Sequence, residues 1–192
     1  MEKQQITNAI EATNISWDMF NDGLYFKEQA ELSKNDRERE RCYRTSLMNF
    51  CASVEAWIYK IMLDSLVKKK ELSKREKDIL KFLKDEGKAI PPKGLSNIRK
   101  RIYEDLEATL NIPENTLRKN PNINEYIRLS ESRNIILHPT DGKFQKIYGG
   151  SIKSSCEKAP DVIEKFFKSI SKLTENTSFC PEWFRYRKSE KI

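Results

Sequence analysis

The string Ser132-Arg133-Asn134-Ile135-Ile136-Leu137-His138-Pro139 places residue types that hold a phosphate next to one that moves a proton. A planar guanidinium offers paired N–H donors to an oxyanion. An imidazole, with an ordinary pKa of about 6.5, gives or takes a proton near neutral pH. Asn134 and His138 are four residues apart and can meet on one helical face. His138 is the only histidine in the chain. A mechanism with one imidazole as base and another as acid therefore needs two copies of the chain, whereas one imidazole with water needs only one. A plainer reading stands beside this chemistry: a histidine at a helix end can satisfy the last carbonyls and the dipole, and an arginine at a core margin can reach to water.

These residues need a helix to carry them. Asn120-Pro121-Asn122 suits a helix start, and Pro139 disfavours helical geometry at His138, so the helix should end there. On a wheel of about 100° per residue, Ile123, Tyr126, Ile127 and Leu137 form a core-facing arc, with Ser130 and Asn134 in its middle. Arg133 and His138 fall on its two margins, and Ile135 falls outside with Asn124, Glu125, Arg128 and Ser132. Polar groups in such an arc need partners, because burying them alone costs several kcal/mol, of the order of 1–3 per group.

The surrounding chain reads as all-α, a single bundle of four to six helices. Glycine is scarce, at 6 of 192 residues, and charged residues reach 34%. Ile6, Ile10, Thr13, Trp17, Phe20 and Leu24 mark a helix over about 5–33. Asn35 with Glu38 opens a second, running to about Lys70 on a stripe of Leu47, Phe50, Val54, Trp57, Ile58, Ile61 and Met62. These two long helices should form an antiparallel hairpin. Ser73 with Glu76 caps a short third helix ending before Gly87, and the Pro- and Gly-rich residues 87–94 form a loop. Ile98, Ile102, Leu106 and Leu110 mark a fourth, stopped near Pro113. After His138 the turn-rich residues 139–150 connect to a last helix over about 153–174, which Pro160 either kinks or begins. The bundle is expected over 1–178, with 179–192 as an aromatic and basic tail.

Further candidates are weaker. Glu55, mid-helix beside the apolar stripe, can reach the Arg133 string or sit as an ordinary rim carboxylate. Lys68, Lys69 and Lys70 could attract a polyanion or simply cap a helix end. In the tail, Trp183, Phe184 and Tyr186 alternate with Arg185, Arg187 and Lys188, residue types that bind bases and phosphates but that also fold inward. The net charge of +7 and pI of about 9.1 favour phosphate-rich partners. Cys42, Cys51, Cys156 and Cys180 lack a C-x-x-C pair and read as reduced thiols, so no metal is expected. No Walker or G-x-G-x-x-G loop points to a nucleotide cofactor. No stretch is apolar enough for a membrane span and the N-terminus lacks an export signal, so a cytoplasmic protein is expected.

Arg133 to His138, with a polar residue after the arginine and Pro139 after the histidine, resembles the R-x4-6-H signature of HEPN domains. Its position late in a helical bundle is similar too, as is the long second helix with Ser53-Val54-Glu55-Ala56-Trp57. The specific motif covers about seven residues. The resemblance implies metal-independent RNA cleavage by a homodimer, with the Arg133 and His138 of both subunits in one cleft, and no cofactor. It extends to a toxin or antiviral-defence effector with an antitoxin or defence partner. One departure is Thr140, where toxins of this family controlled by a nucleotidyltransferase often carry tyrosine. Members without activity imply the alternative, a silent module that binds RNA, nucleotide or a partner protein.

Overall fold

The computed structural model describes residues 2–85, 90–137 and 151–190, with 2–14 described by their backbone alone. Seven helices and no strands occur among the described residues. They are α1 (Glu2–Leu32), α2 (Asp36–Lys68), α3 (Lys74–Leu83), α4 (98–109), α5 (Thr116–Lys119), α6 (Pro121–Leu137) and α7 (Ser151–Thr174), followed by 3-10 turns at Thr177–Phe179 and Glu182–Arg185. The expected side-chain stripe at Ile6, Ile10 and Thr13 and the connection 139–150 lie outside the described residues, as do residue 86 and residues 87–89 of the loop.

Local chemistry sets the helix starts. Asn35 Oδ1 accepts the backbone N–H groups of Arg37 (2.9 Å) and Glu38 (3.2 Å). Glu38 does not return to Asn35; its carboxylate takes the Ser33 hydroxyl at 3.0 Å, while the Asn35 N–H donates to Ser33 Oγ at 3.2 Å. The cap is thus shared with the residue before it, but two orphan donors are still satisfied. At α3 the box closes in both directions: the Glu76 N–H donates to Ser73 Oγ and the Ser73 N–H to Glu76 Oε2.

The hairpin of α1 and α2 holds the largest shared face. Its backbones approach closely at Gly23, where an added Cβ would lie 2.6 Å from the Phe50 ring. The buried Ser46 hydroxyl donates to the Gly23 carbonyl across the same contact, at 2.7 Å. Leu47, Phe50, Val54, Trp57, Ile58, Ile61 and Met62 are all buried, so the stripe read from spacing is the core face of α2. α7 covers α2 and α6. Pro160 lies buried inside α7 rather than at its first turn, since the helix begins at Ser151.

Two elements depart from simple periodicity. The four-residue α5 adds a helix that has no apolar repeat of its own; the buried carboxylate of Glu107 holds its start through the N–H groups of Asn115 (3.0 Å) and Leu117 (2.5 Å). In α4 the middle, Arg101–Leu106, is π-helical between α turns at Ile98–Lys100 and Glu107–Thr109. That stretch buries Arg101 and Asp105 together with Ile102 and Leu106.

Residues 179–190 fold back along the hairpin. Trp183 meets Trp17, Phe20 and Trp57 edge-on at 5.6–5.8 Å between centroids, and Phe184 stacks on Phe167 at 4.5 Å. Trp57 Nε1 donates to the Phe179 carbonyl, and the Ser189 and Glu190 N–H groups donate to Glu28 and Asn21 of α1. No helix among the described residues is long and apolar enough to cross a membrane.

Candidate functional site

Where α2, α4 and α6 meet, one carboxylate serves two arginines. Arg101 Nη1 donates to Glu55 Oε2 at 3.0 Å, and Arg133 Nη2 pairs with Glu55 Oε1. Arg101 is 3% exposed, whereas the Arg133 side chain keeps 21% of its surface in solvent. Arg101 is held further by its Nε–H to the Leu95 carbonyl at 2.8 Å, and its guanidinium lies 4.6 Å from the centre of the Tyr59 ring. Neighbouring Asp105 is taken up by a two-pronged pair with Arg75 of α3, both contacts at 2.9 Å. Arg101 is therefore fixed from three sides, Glu55 is fixed by Arg101, and Glu55 holds Arg133.

Two guanidinium groups on one carboxylate leave one positive charge in excess. In a half-buried setting that excess is weakly screened and favours an anion at the exposed arginine. Burial pulls the Arg101 pKa below its ordinary value, opposed by Tyr59, Tyr126 and Asp105, but a guanidinium stays charged at neutral pH. Cys51 lies one turn before Glu55, next to Arg133; burial pushes its thiol up to about 12 despite the arginine. Burial also pushes Cys156 to about 12. Neither is a thiolate nucleophile at neutral pH. Tyr126 is buried with no hydrogen-bond partner for its hydroxyl among the described residues, and burial holds its pKa well above the usual value.

Ser130 is buried, but Asn134 is exposed rather than central to the covered arc. Ile135 and Ile136 are half-buried against the core, and Leu137 is 41% exposed. The wheel fails at Asn134 and Leu137 because it assumes equal cover along the whole helix, while that arc meets solvent near the end of α6; Ile135, which the wheel places outside, packs against the core instead. His138 follows directly on α6 and lies outside the described residues.

The other charged candidates sit elsewhere. Lys68 ends α2, about 20 Å along the helix from Glu55 at 1.5 Å per residue. Lys69 is committed, its Nζ lying 2.7 Å from Glu76 Oε1 and 2.8 Å from the Ala108 carbonyl; Lys70 is exposed. Arg187 donates to Asp161 at 2.8 Å and pairs with Glu164, which also draws Arg185 to 4.0 Å. The structure thus brings Arg133 to Glu55 and places the lysines and tail arginines apart from that pair.

Arg101 was not anticipated from the sequence. Its signal was present, since Arg101 and Asp105 fall on the same face as Ile98, Ile102 and Leu106, where unpaired charge is costly. The chain matches no family model, no curated protein and no solved structure.

Proposed function

We propose that the chain is a HEPN-type endoribonuclease acting as a homodimer. The observation that carries this reading is the Glu55-centred cluster, which fixes Arg133 and leaves it with uncompensated positive charge. In the reaction the ribose 2′-oxygen attacks the adjacent phosphorus, the bond from phosphorus to the 5′-oxygen breaks, and a 2′,3′-cyclic phosphate and a 5′-hydroxyl result. His138 takes the 2′-proton or protonates the leaving oxygen, and the second subunit's copy of the same residue does the other. Arg133 holds the non-bridging oxygens and stabilises their added charge. Asn134, exposed beside it, orients the imidazole or a phosphate oxygen. A toxin or antiviral-defence role, with an antitoxin or defence protein as partner, follows from the same family analogy.

One observation favours a rival, the silent binding module: Arg133 already has a carboxylate partner without any substrate. Wild type, Arg133→Ala and His138→Ala should be incubated with RNA in EDTA. The expected result is cleavage by wild type and a loss of about 10²-fold or more in each variant, at unchanged circular dichroism. Intact RNA from wild type, across unstructured and structured substrates, would favour the binding module. A dimer is expected by sedimentation at micromolar concentration.

A further inference from the structure

On the outer side of α4 and α6 lies an open groove of about 450 Å³. Its walls bring Arg99, Lys100 and Tyr103 of α4 together with Arg118 of α5 and Asn124 of α6. The pieces are tied to one another. The Tyr103 hydroxyl donates to Asn124 Oδ1 at 2.6 Å, and Asn124 Nδ2 donates to the Arg118 carbonyl at 3.0 Å. The Arg118 guanidinium lies 5.3 Å from the centre of the Tyr103 ring. Arg128, one turn beyond Asn124, points its Nε–H back to the Asn124 carbonyl at 3.3 Å. Burial raises the Tyr103 phenol pKa and Glu131 adds to the rise, while Arg99, Arg118 and Arg128 oppose it, so three cations and one carboxylate surround the ring.

Charge in the groove is lopsided. Arg99 is neutralised by Glu131, and Glu104 lies on the wall. Lys100, Arg118 and Arg128 leave a surplus of cations over carboxylates around a guanidinium stacked on an aromatic ring. Flat cationic platforms with adjacent amide groups suit an unpaired base and its flanking phosphates. A folded duplex presents its bases stacked away and gains less from such a platform. The same two helices turn Arg101 and Arg133 inward to Glu55, so the groove adjoins the candidate site: Asn124 and Arg133 are about 14 Å apart along α6 at 1.5 Å per residue.

We propose that this groove binds single-stranded RNA, seating a nucleotide outside the scissile phosphate between Arg118, Lys100 and Tyr103. The choice of RNA over DNA rests on the ribonuclease reading; the groove's affinity for a single strand does not.

The test uses the full chain with His138→Ala as background and a fluorescein-labelled 12-nucleotide oligouridylate, followed by anisotropy in EDTA at several salt concentrations. Adding Lys100→Ala and Arg118→Ala together should weaken binding at least tenfold. It should also flatten the slope of log affinity against log salt by about 1.4, for two phosphate contacts at about 0.7 each on a single strand. Lys68→Ala with Lys70→Ala removes the same charge at the far end of α2 and should change affinity by less than twofold. Unaltered binding in the groove variant, an equal loss in the control pair, tighter binding of a duplex, or no binding at all would each overturn the proposal. A deoxyuridylate strand bound equally well leaves the groove as a general single-strand site and removes only the preference for RNA. Cleavage by wild type with normal binding in the groove variant sinks the groove and spares the ribonuclease; loss of binding in that variant with no cleavage by wild type does the reverse.

Discussion

Glu55 is the residue on which the two arginines depend, and they depend on it differently. Arg101 is buried, so Glu55→Ala strands a charge in the interior; a loss of about 3–5 kcal/mol in urea denaturation is expected. Arg133→Ala removes the more exposed partner and leaves the Glu55–Arg101 pair intact but a buried Glu55 oxygen without its donor, so its stability cost should be about 1–3 kcal/mol while cleavage collapses. If both variants lose stability equally, Arg133 is a structural residue. The buried thiols supply a pH test. Cys51 and Cys156 titrate near 12 in the folded chain, against about 8.5 when unfolded. Their contribution is complete below the unfolded value and is lost as pH rises toward 12, so stability should decline above about pH 9. Cys51→Ala should make that decline shallower. From the sequence, Arg133, Asn134, His138 and Glu55 stand out by type and spacing. Arg101 carries only a weak local signal, its place on the apolar face of α4, because an arginine beside such a stripe ordinarily reaches solvent; the meeting of α2, α4 and α6 gives it a carboxylate to turn inward to.

The helices themselves follow from periodicity and caps, which act over a few residues and can be read locally. Ser73 and Glu76 satisfy each other's backbone donors, and Ser73→Ala should cost about 1 kcal/mol, measured by thermal unfolding. Gly23 is the opposite kind of feature. Alanine favours a helix over glycine by up to about 1 kcal/mol, yet at Gly23 its methyl would collide with the Phe50 ring. Gly23→Ala is therefore expected to destabilise, by about 1–3 kcal/mol. The sequence shows the helix but not the closeness of its neighbour. The π-helical middle of α4 and the four-residue α5 were equally out of reach. The first widens the turn to bury Arg101 and Asp105, and the second is held by Glu107 from across a loop.

Long-range packing decides the role of the C-terminal segment. Its composition of alternating aromatic and basic residues allows either an open nucleic-acid arm or an inward strap, and the partners that settle the matter, Trp17, Trp57 and Phe167, are far away in sequence. Phe184 is fully buried, so Phe184→Ala should cost about 3–5 kcal/mol. A change within about 0.5 kcal/mol would mean that the strap does not hold the bundle. Across the molecule, the strap and α7 brace the hairpin, α2 presents Glu55, and α6 delivers Arg133 where its cover ends. Two such chains would supply the second imidazole that one chain lacks. The most direct test is the chemistry of the ends, read by mass spectrometry after wild type and His138→Ala act on one RNA in EDTA. Fragments from wild type should end in 2′,3′-cyclic phosphate, and the variant should leave the RNA intact; uncut RNA from wild type, or the same fragments from the variant, would contradict a ribonuclease built on Arg133 and His138.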